Sequence, residues 1–258
     1  MKRSAKIAII AIIGVVIVVM ATVFAYSVIN NEQLSTSPFS YIPSNSSLVL
    51  YLNYNNTKAF VFHGYNYTAL MVTSANIKGS NITIPSGNKT YDINTTLYQS
   101  YKGFQVYSLN ISSILPGFQQ YSNFSNYLNI SKINATVFAY VPYGSTIVLG
   151  SLSSIHSSIN AYANDNNFQS KSIFVNLDNN VSFYVSPMNT SSPIVKAWGG
   201  LNETTVYSFL DVKNGTSLNL SYLQIIPGVK VTTISQNEIE ISFPLSYLST
   251  FMSKEKIA

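Results

Sequence analysis

Cysteine is absent from all 258 residues, and charged residues make up only 9% of them. Without thiols the chain can form neither disulfides nor cysteinyl metal sites, and thiol catalysis is excluded as well. Ordinary soluble domains carry roughly 25% charged residues, so this surface must be hydrated mainly by neutral polar groups. The sequence supplies these groups as Asn, Ser, Thr and 19 Tyr.

Arginine is also nearly absent. Arg3 is the single arginine, and with Lys2 and Lys6 it accounts for three of the 14 basic residues, which leaves 11 lysines against nine acids in the rest of the chain. Recognition of nucleic acids depends on clustered Arg and Lys. The sequence therefore predicts no nucleic-acid partner.

A long uncharged segment follows these three basic residues. Residues 7–29 are apolar enough to form a transmembrane helix of roughly 34 Å, which exceeds the ~30 Å hydrocarbon core of a bilayer. The basic residues before it predict a cytoplasmic N-terminus. We expect a signal-anchor and cytoplasmic stub at 1–29, with a single membrane span and the bulk of the chain extracellular. The alternative is a signal peptide that is cleaved after Ala25, because small residues stand at a permissible spacing there.

Two further regions follow the predicted anchor. Residues 30–47 are polar, contain two prolines and lack an apolar period, which predicts a short stalk. Residues 48–258 alternate short apolar runs with Asn- and Gly-containing breaks, and this pattern predicts one extracellular domain.

Asparagine is followed two positions later by Ser or Thr far more often than chance allows. The 28 Asn and 56 Ser or Thr among 258 residues give about six such pairs by chance at any fixed spacing, and six occur at a spacing of three. Fifteen occur at a spacing of two, which is the spacing of the N-glycosylation acceptor. The predicted glycosylation sites are Asn45, Asn55, Asn66, Asn81, Asn88, Asn94, Asn110, Asn123, Asn129, Asn134, Asn180, Asn189, Asn202, Asn214 and Asn219.

The extracellular part is predicted to be an α+β domain, with a mainly antiparallel sheet and a few amphipathic helices. One helix is expected after a Ser151 cap, with Leu152, Ile155, Ile159 and Tyr162 on one face, and another after Pro116. Ten strands are expected at 48–53, 59–63, 69–73, 104–109, 135–141, 146–149, 181–185, 205–212, 229–234 and 238–243.

Two short patterns carry a resemblance to known proteins. Residues 42–51 read IPSNSSLVLY, with a proline opening the first strand, and residues 147–151 read IVLGS, an apolar strand that leads through Gly-Ser into a helix. In these features the chain resembles uncharacterised membrane-anchored, exported proteins. Its low charge, its many Tyr and Asn residues and its dense glycosylation motifs also resemble the cell-surface proteins of acidophilic archaea. The resemblance implies a location and a fold class, and it implies no particular chemistry.

The residues that could carry catalysis or bind metal are few. His63 and His156 are the only imidazoles, and no Gly-x-Ser-x-Gly motif accompanies them. Glu238 and Glu240 alternate with apolar residues, which predicts a solvated face of one strand rather than the facing carboxylates of a glycosidase. Asp165 and Asp178 lie in Asn-rich turns without the remainder of a calcium loop. We therefore predict no catalytic residue, no cofactor and no metal site.

These observations favour a structural or interaction protein of the cell envelope, with an envelope protein as its partner, over an enzyme. A sensory or solute-binding ectodomain is the alternative, because Tyr-rich surfaces suit ligand binding. A pilin-like filament subunit is a third hypothesis, based on the basic start followed by an apolar helix.

Overall fold

Antiparallel pairing of strands dominates the fold. The computed structural model describes residues 37–54, 57–73, 76–78, 81–86, 89–109, 136–187, 191–216, 218–224 and 228–247. Within these ranges fourteen strands form one sheet in the order β13-β14-β12-β11-β10-β1-β2-β3-β9-β8-β7-β6-β5-β4. The strands are β1 (Leu48–Tyr54), β2 (Thr57–Gly64), β3 (Tyr67–Val72), β4 (Asn76–Lys78), β5 (Asn81–Ser86), β6 (Lys89–Tyr101), β7 (Phe104–Leu109), β8 (Val137–Tyr140), β9 (Ile147–Gly150), β10 (Val181–Val185), β11 (Ile194–Leu201), β12 (Thr205–Val212), β13 (Lys230–Thr233) and β14 (Glu238–Pro244).

Helical structure is sparse in the described part of the chain. It comprises α1 (Leu152–Ala163), the four-residue α2 (Ser221–Gln224), and the 3-10 helices η1 (Pro38–Tyr41), η2 (Phe168–Phe174) and η3 (Leu245–Tyr247). The predicted Ser151 cap of α1 is confirmed, because the Ser151 hydroxyl accepts a hydrogen bond from the backbone N–H of Ser154. The N-terminus of α1 therefore has a partner for one of its free N–H groups.

The main core lies between one face of the sheet and α1, η1 and η2. Ile155 and Ile159 of α1 are fully buried there, and each contributes roughly 1.5–3 kcal/mol through burial of its apolar surface. Phe60 of β2 lies at the centre, with ring centroids 4.9 Å from Tyr51 and 5.6 Å from Phe39. Aromatic packing thus joins the sheet to the short helices that cover it.

Strand β1 is buried on both of its faces, because side chains alternate along a strand. Val49 and Tyr51 belong to the main core, whereas Leu50 and Leu52 belong to a second apolar cluster on the opposite face. A third cluster, centred on Leu210 and Ile241, packs between strands β11 to β14 and the segment around α2. Buried apolar side chains therefore follow the sheet along most of its width.

The segment before β1 packs into the fold. Phe39, Tyr41 and Ile42 are buried in the main core, and the backbone N–H of Phe168 donates to the carbonyl oxygen of Ile42 at 2.8 Å. These residues belong to the segment 30–47, for which the sequence predicts a polar stalk. The folded unit instead includes residues from Pro38 onwards, because three large apolar side chains in this short segment have a core to enter.

The predicted α+β fold class is wrong. The described residues form a mainly antiparallel sheet with one helix of 12 residues and one of four, so helices are a minor part of a β fold. The sequence shows apolar residues at helical spacing in two segments, whereas several polar strands have no clear pattern. The expected share of helix was therefore too high and that of sheet too low. The second predicted helix, after Pro116, lies outside the described residues.

The fold class also included an N-terminal transmembrane helix. Across the described ranges the structure has no helix with the length and apolarity needed to cross a membrane. Residues 7–29, on which that prediction rests, lie outside those ranges.

All ten predicted strands are confirmed within a few residues of their expected ends. Four strands were missed. β4, β5 and β6 were missed because Asn, Thr, Lys and Ser outnumber their apolar residues, so that even the alternation of Ile82 and Ile84 in β5 did not stand out. β11 was missed because Gly199 and Gly200 break its pattern.

Candidate functional site

In the described part of the chain, the predicted glycosylation sites differ from the other asparagines in their exposure to solvent. Six of them have described side chains, and all six are exposed: Asn45, Asn66, Asn180, Asn202, Asn214 and Asn219. Eight described Asn residues outside the motif provide a comparison, and only three of these, Asn164, Asn166 and Asn176, are exposed. Motif asparagines are thus selectively accessible in a chain that is rich in Asn throughout.

Two of these sites fold into turns in which the motif bonds to itself. The Oδ1 atom of Asn202 accepts hydrogen bonds from the backbone N–H groups of Thr204 and Thr205 at 3.0 and 2.8 Å. In the same way the Oδ1 atom of Asn219 accepts from the hydroxyl of Ser221 at 2.6 Å. Such turns hold the side-chain amide through its Oδ1 atom. The Nδ2 atom, to which a sugar would be attached, therefore remains exposed to solvent.

The remaining nine predicted sites have no described side chain. Asn81 and Asn94 fall within strands β5 and β6. The others lie outside the described residues: Asn55, Asn88, Asn110, Asn123, Asn129, Asn134 and Asn189.

The side chain of Asn45 is held by a residue outside its own motif, as is that of Asn214, whose Oδ1 atom accepts a hydrogen bond from the Asn237 amide. The Oδ1 atom of Asn45 accepts a hydrogen bond of 2.7 Å from the hydroxyl of Tyr67, a residue 22 positions away. Tyr67 is itself buried, and burial raises the pKa of its phenol, so the proton that it donates is retained. Its ring lies against Gly64, where an added Cβ would stand 2.3 Å from the ring. Asn45 is therefore oriented by Tyr67 at the start of β3.

A half-open polar cavity of about 170 Å³ opens beside Asn45. Its wall opposite Asn45 is formed by the C-terminal half of α1 and the turn that follows, with Ser157, Asn160, Asn164 and Asn166. None of the residues that line it is charged. The cavity therefore presents hydroxyl and carboxamide groups, each of which can donate or accept hydrogen bonds.

The two histidines contact different residues and share no hydrogen-bond partner. His63 ends β2, and its Nδ1 atom lies 2.7 Å from the Thr68 hydroxyl. His156 on α1 stacks on Tyr101 at 4.0 Å between ring centroids, and its Nε2 atom lies 2.7 Å from the Gln99 amide. Each imidazole thus has neutral partners.

The acidic residues singled out from the sequence also lie on the surface of strands and turns. Glu238 and Glu240 are half-buried on one face of β14, opposite Asp211 and Phe209 of β12. Asp165 accepts a hydrogen bond from Asn167 in the turn after α1, and Asp178 lies in the turn before β10. Among the described residues no three His, Asp or Glu side chains come close enough to hold a metal ion.

Acidification is expected to leave the fold nearly unchanged. The ion pair between Lys196 and Asp211, 3.6 Å from nitrogen to oxygen, is part-exposed, with side chains 28% and 31% accessible, and such pairs contribute about 0–1 kcal/mol. We expect the free energy of unfolding to fall by no more than about 1 kcal/mol between pH 7 and pH 2.5. Urea titrations at the two pH values measure it. A midpoint that collapses at pH 2.5 would show that an ionised carboxylate is essential, and Asp211→Asn would then identify it.

Buried tyrosines form a polar network that the sequence did not locate. The hydroxyl of Tyr140 lies 2.7 Å from that of Ser158, and Ser158 in turn donates to the carbonyl oxygen of Tyr41 at 2.6 Å. The Tyr51 hydroxyl donates to the carbonyl oxygen of Leu177 at 3.1 Å. These contacts satisfy phenols inside the core, and the alternating position of Tyr51 and Tyr140 in apolar strands was the signal that they pack inward.

A row of aromatic rings crosses β10, β11 and β12 on the face of the main core. Trp198 stacks on Phe209 at 5.5 Å and contacts Phe174 at 4.9 Å. Tyr207, at the end of the row, accepts a hydrogen bond from the Asn179 amide at 2.5 Å. The rings contact one another, so this row extends the core rather than forming an open platform.

Comparisons with known proteins leave the chain without a family. No family model matches it, and no curated protein matches it. Two solved structures, crystal forms III and I of TP0453, are similar to it with a TM-score of 0.45 and 8% sequence identity each. The alignments cover 86% and 87% of this chain and 100% and 99% of the other. At this TM-score the likeness does not define a shared fold.

Proposed function

We propose that this chain is an N-glycosylated protein of the cell surface, with a structural or interaction role in the cell envelope. The supporting observation is that all six described motif asparagines are exposed, against three of eight outside the motif. The uncharged segment at residues 7–29 crosses the membrane once, and the basic residues before it keep the N-terminus in the cytoplasm. All fifteen motifs then lie on the outer side.

An interaction role is proposed over catalysis because of the groups that the described surface offers. The half-buried carboxylates of β14 stand side by side on one strand, where they cannot flank a substrate from two sides. The polar cavity beside Asn45 offers neutral amides and hydroxyls. Binding, rather than bond cleavage, is the chemistry that such groups support, and an envelope protein is the proposed partner.

A solute-binding ectodomain is the second candidate, and the same cavity is the observation that favours it. Its volume of about 170 Å³ is below the roughly 300–1,000 Å³ of ordinary small-molecule sites. A free solute would therefore be only partly enclosed, which places this candidate second.

Protease treatment of intact cells tests the proposed topology. We expect the extracellular part to be removed while a short N-terminal fragment, detected through a tag placed before Lys2, stays with the membrane. A cytoplasmic protein of the same cells serves as the control for lysis. Protection of the whole chain under these conditions would contradict the proposed orientation and location.

Purification from native membranes after mild cross-linking tests the interaction role. We expect one envelope protein to co-purify in a fixed ratio to the chain. Recovery of the uncross-linked chain with a bound small solute would instead support the second candidate.

A further inference from the structure

We propose that the polar cavity beside Asn45 seats the first sugar of a glycan attached to that residue. This inference rests on the proposed glycosylation and adds a binding site for the glycan within the chain itself. The ligand class is a neutral pyranose ring, covalently linked through the Nδ2 atom of Asn45.

The orientation of Asn45 is the first argument. The Tyr67 hydroxyl holds the Oδ1 atom at 2.7 Å, so the amide plane is anchored at its oxygen. Asn45 is itself exposed and forms part of the wall of the cavity. A sugar attached to the remaining amide nitrogen therefore begins at the rim of the cavity, with its direction restricted by a buried phenol.

The chemistry of the cavity is the second argument. A pyranose has hydroxyl groups around its edge and C–H groups on its faces, so it needs both polar partners and small apolar surfaces. Ser157, Asn164 and Asn166 supply hydroxyl and carboxamide groups, while Pro43 and Ala161 supply apolar surface. The Oδ1 atoms of Asn164 and Asn166 already accept hydrogen bonds from the side chains of Lys102 and Ser44. Their amide N–H groups are therefore the donors that face the hydroxyl oxygens of a sugar. The volume of about 170 Å³ leaves room for several water molecules, which a sugar would displace.

The rigidity of the surrounding backbone is the third argument. The turn that carries Asn45 is tied to the segment after α1, because the backbone N–H of Ser44 donates to the carbonyl oxygen of Asn166 at 3.1 Å. Lys171 also donates to the carbonyl oxygen of Ser44 at 2.7 Å. Both walls of the cavity are thus held in place before any sugar is attached, so seating a sugar requires little reorganisation.

Variants of the motif hydroxyl test the inference. Ser47→Ala removes the acceptor motif while Asn45 and Tyr67 remain, and Ser47→Thr keeps the motif. Thr204→Ala removes the motif of Asn202, whose amide is held by its own turn, and serves as the matched control. Hydrogen exchange of residues 157–166 is measured in protein from the native host, after site-resolved glycopeptide mapping of each variant.

We expect Ser47→Ala to speed exchange in residues 157–166 by about fivefold, the factor that one net hydrogen bond gives. The thermal midpoint should fall by roughly 2–4 °C. Ser47→Thr and Thr204→Ala should leave exchange in this segment unchanged. The Ser47 hydroxyl also donates a hydrogen bond to the carbonyl oxygen of His63 at 3.2 Å, and Ser47→Ala removes this bond too. The same variants made in a host without glycosylation measure the effect of that bond alone. This effect is subtracted from the change measured in protein from the native host.

The outcomes separate this inference from the proposed function. If no motif asparagine carries a glycan, both fail. If other sites are modified and Asn45 is bare, or if Asn45 is modified and its loss leaves exchange in residues 157–166 unchanged, the seating proposal alone is overturned.

Discussion

Raising the pH from 9 to 11 is expected to remove several kcal/mol from the free energy of unfolding. Burial raises the pKa of Tyr41 to about 12, with neighbouring Tyr162 and Tyr143 adding to the effect. Burial also raises the pKa of Tyr51 to about 12, and the negative charge of Asp178 makes a smaller contribution in the same direction. The pKa of Tyr140 is raised by burial as well. Each phenol stays protonated in the folded state at a pH where the unfolded chain has begun to ionise.

The direction and size of the effect follow from proton linkage. An unfolded tyrosine has a pKa near 10, so this stabilisation is complete below pH 10 and is lost as the pH rises from 10 through about 12. At one pH unit above the unfolded pKa, a fully enclosed group of this kind has lowered the free energy of unfolding by about 1.4 kcal/mol. Tyr140, the most deeply enclosed of the three, therefore costs about 1.4 kcal/mol at pH 11. Tyr41 and Tyr51, which solvent screens more, bring the total to roughly 2–4 kcal/mol, a large share of the 5–15 kcal/mol that is typical of a domain.

Tyr140→Phe is the matched variant for this prediction. It keeps the buried ring and loses the bond to Ser158, which costs about 1 kcal/mol at neutral pH. Its loss of stability between pH 9 and pH 11 should nevertheless be about 1.4 kcal/mol smaller than that of the wild-type protein. Urea titrations at both pH values measure the difference. Equal losses would show that Tyr140 does not titrate in the unfolding transition.

Gly199→Ala is expected to destabilise the fold by about 3 kcal/mol. A Cβ at this position would stand 2.1 Å from the carbonyl oxygen of Tyr207 and 2.8 Å from the Cα of Ser208. Both atoms belong to the backbone of β12, so no side-chain rotation relieves the overlap and the two strands must separate. Overpacking of this kind costs about 1–3 kcal/mol, occasionally more. Thermal unfolding followed by circular dichroism measures the change.

Gly215→Ala provides the control for this substitution. An added Cβ at Gly215 meets nothing within 4 Å, and its φ of +73° imposes only the conformational cost, about 1–2 kcal/mol. A loss in Gly199→Ala no larger than that in Gly215→Ala would contradict the close approach of β11 and β12.

Prediction from sequence succeeded where a pattern is local. Strand β10, VSFYV, has four buried residues in five, and a short run of β-branched and aromatic residues is recognisable without any knowledge of its neighbours. β6 instead reads KTYDINTTLYQSY, and its strand character depends on pairing with β5 and β7. Gly199 makes β11 look less like a strand in the sequence. It is needed because the backbone of β12 passes too close for a larger side chain, and this closeness depends on the fold rather than on the sequence of β11.

The candidate site shows the same division. The glycosylation motif is three residues long, so the sequence alone located Asn45 and the other acceptors. The cavity beside Asn45 could not be predicted, because its opposite wall comes from α1 and the following turn, more than 100 positions away. It forms when the backbone of Ser44 pairs with that of Asn166. Non-local pairing of this kind leaves no local signal.

Site-resolved glycopeptide mapping of the chain from its native host tests the central claim most directly. We expect glycans on several motif asparagines, including exposed sites such as Asn202 and Asn219. The exposed asparagines outside the motif, Asn164, Asn166 and Asn176, are the internal controls and should be unmodified. Unmodified peptides at all fifteen motif positions would contradict the proposal that this is a glycoprotein of the cell surface.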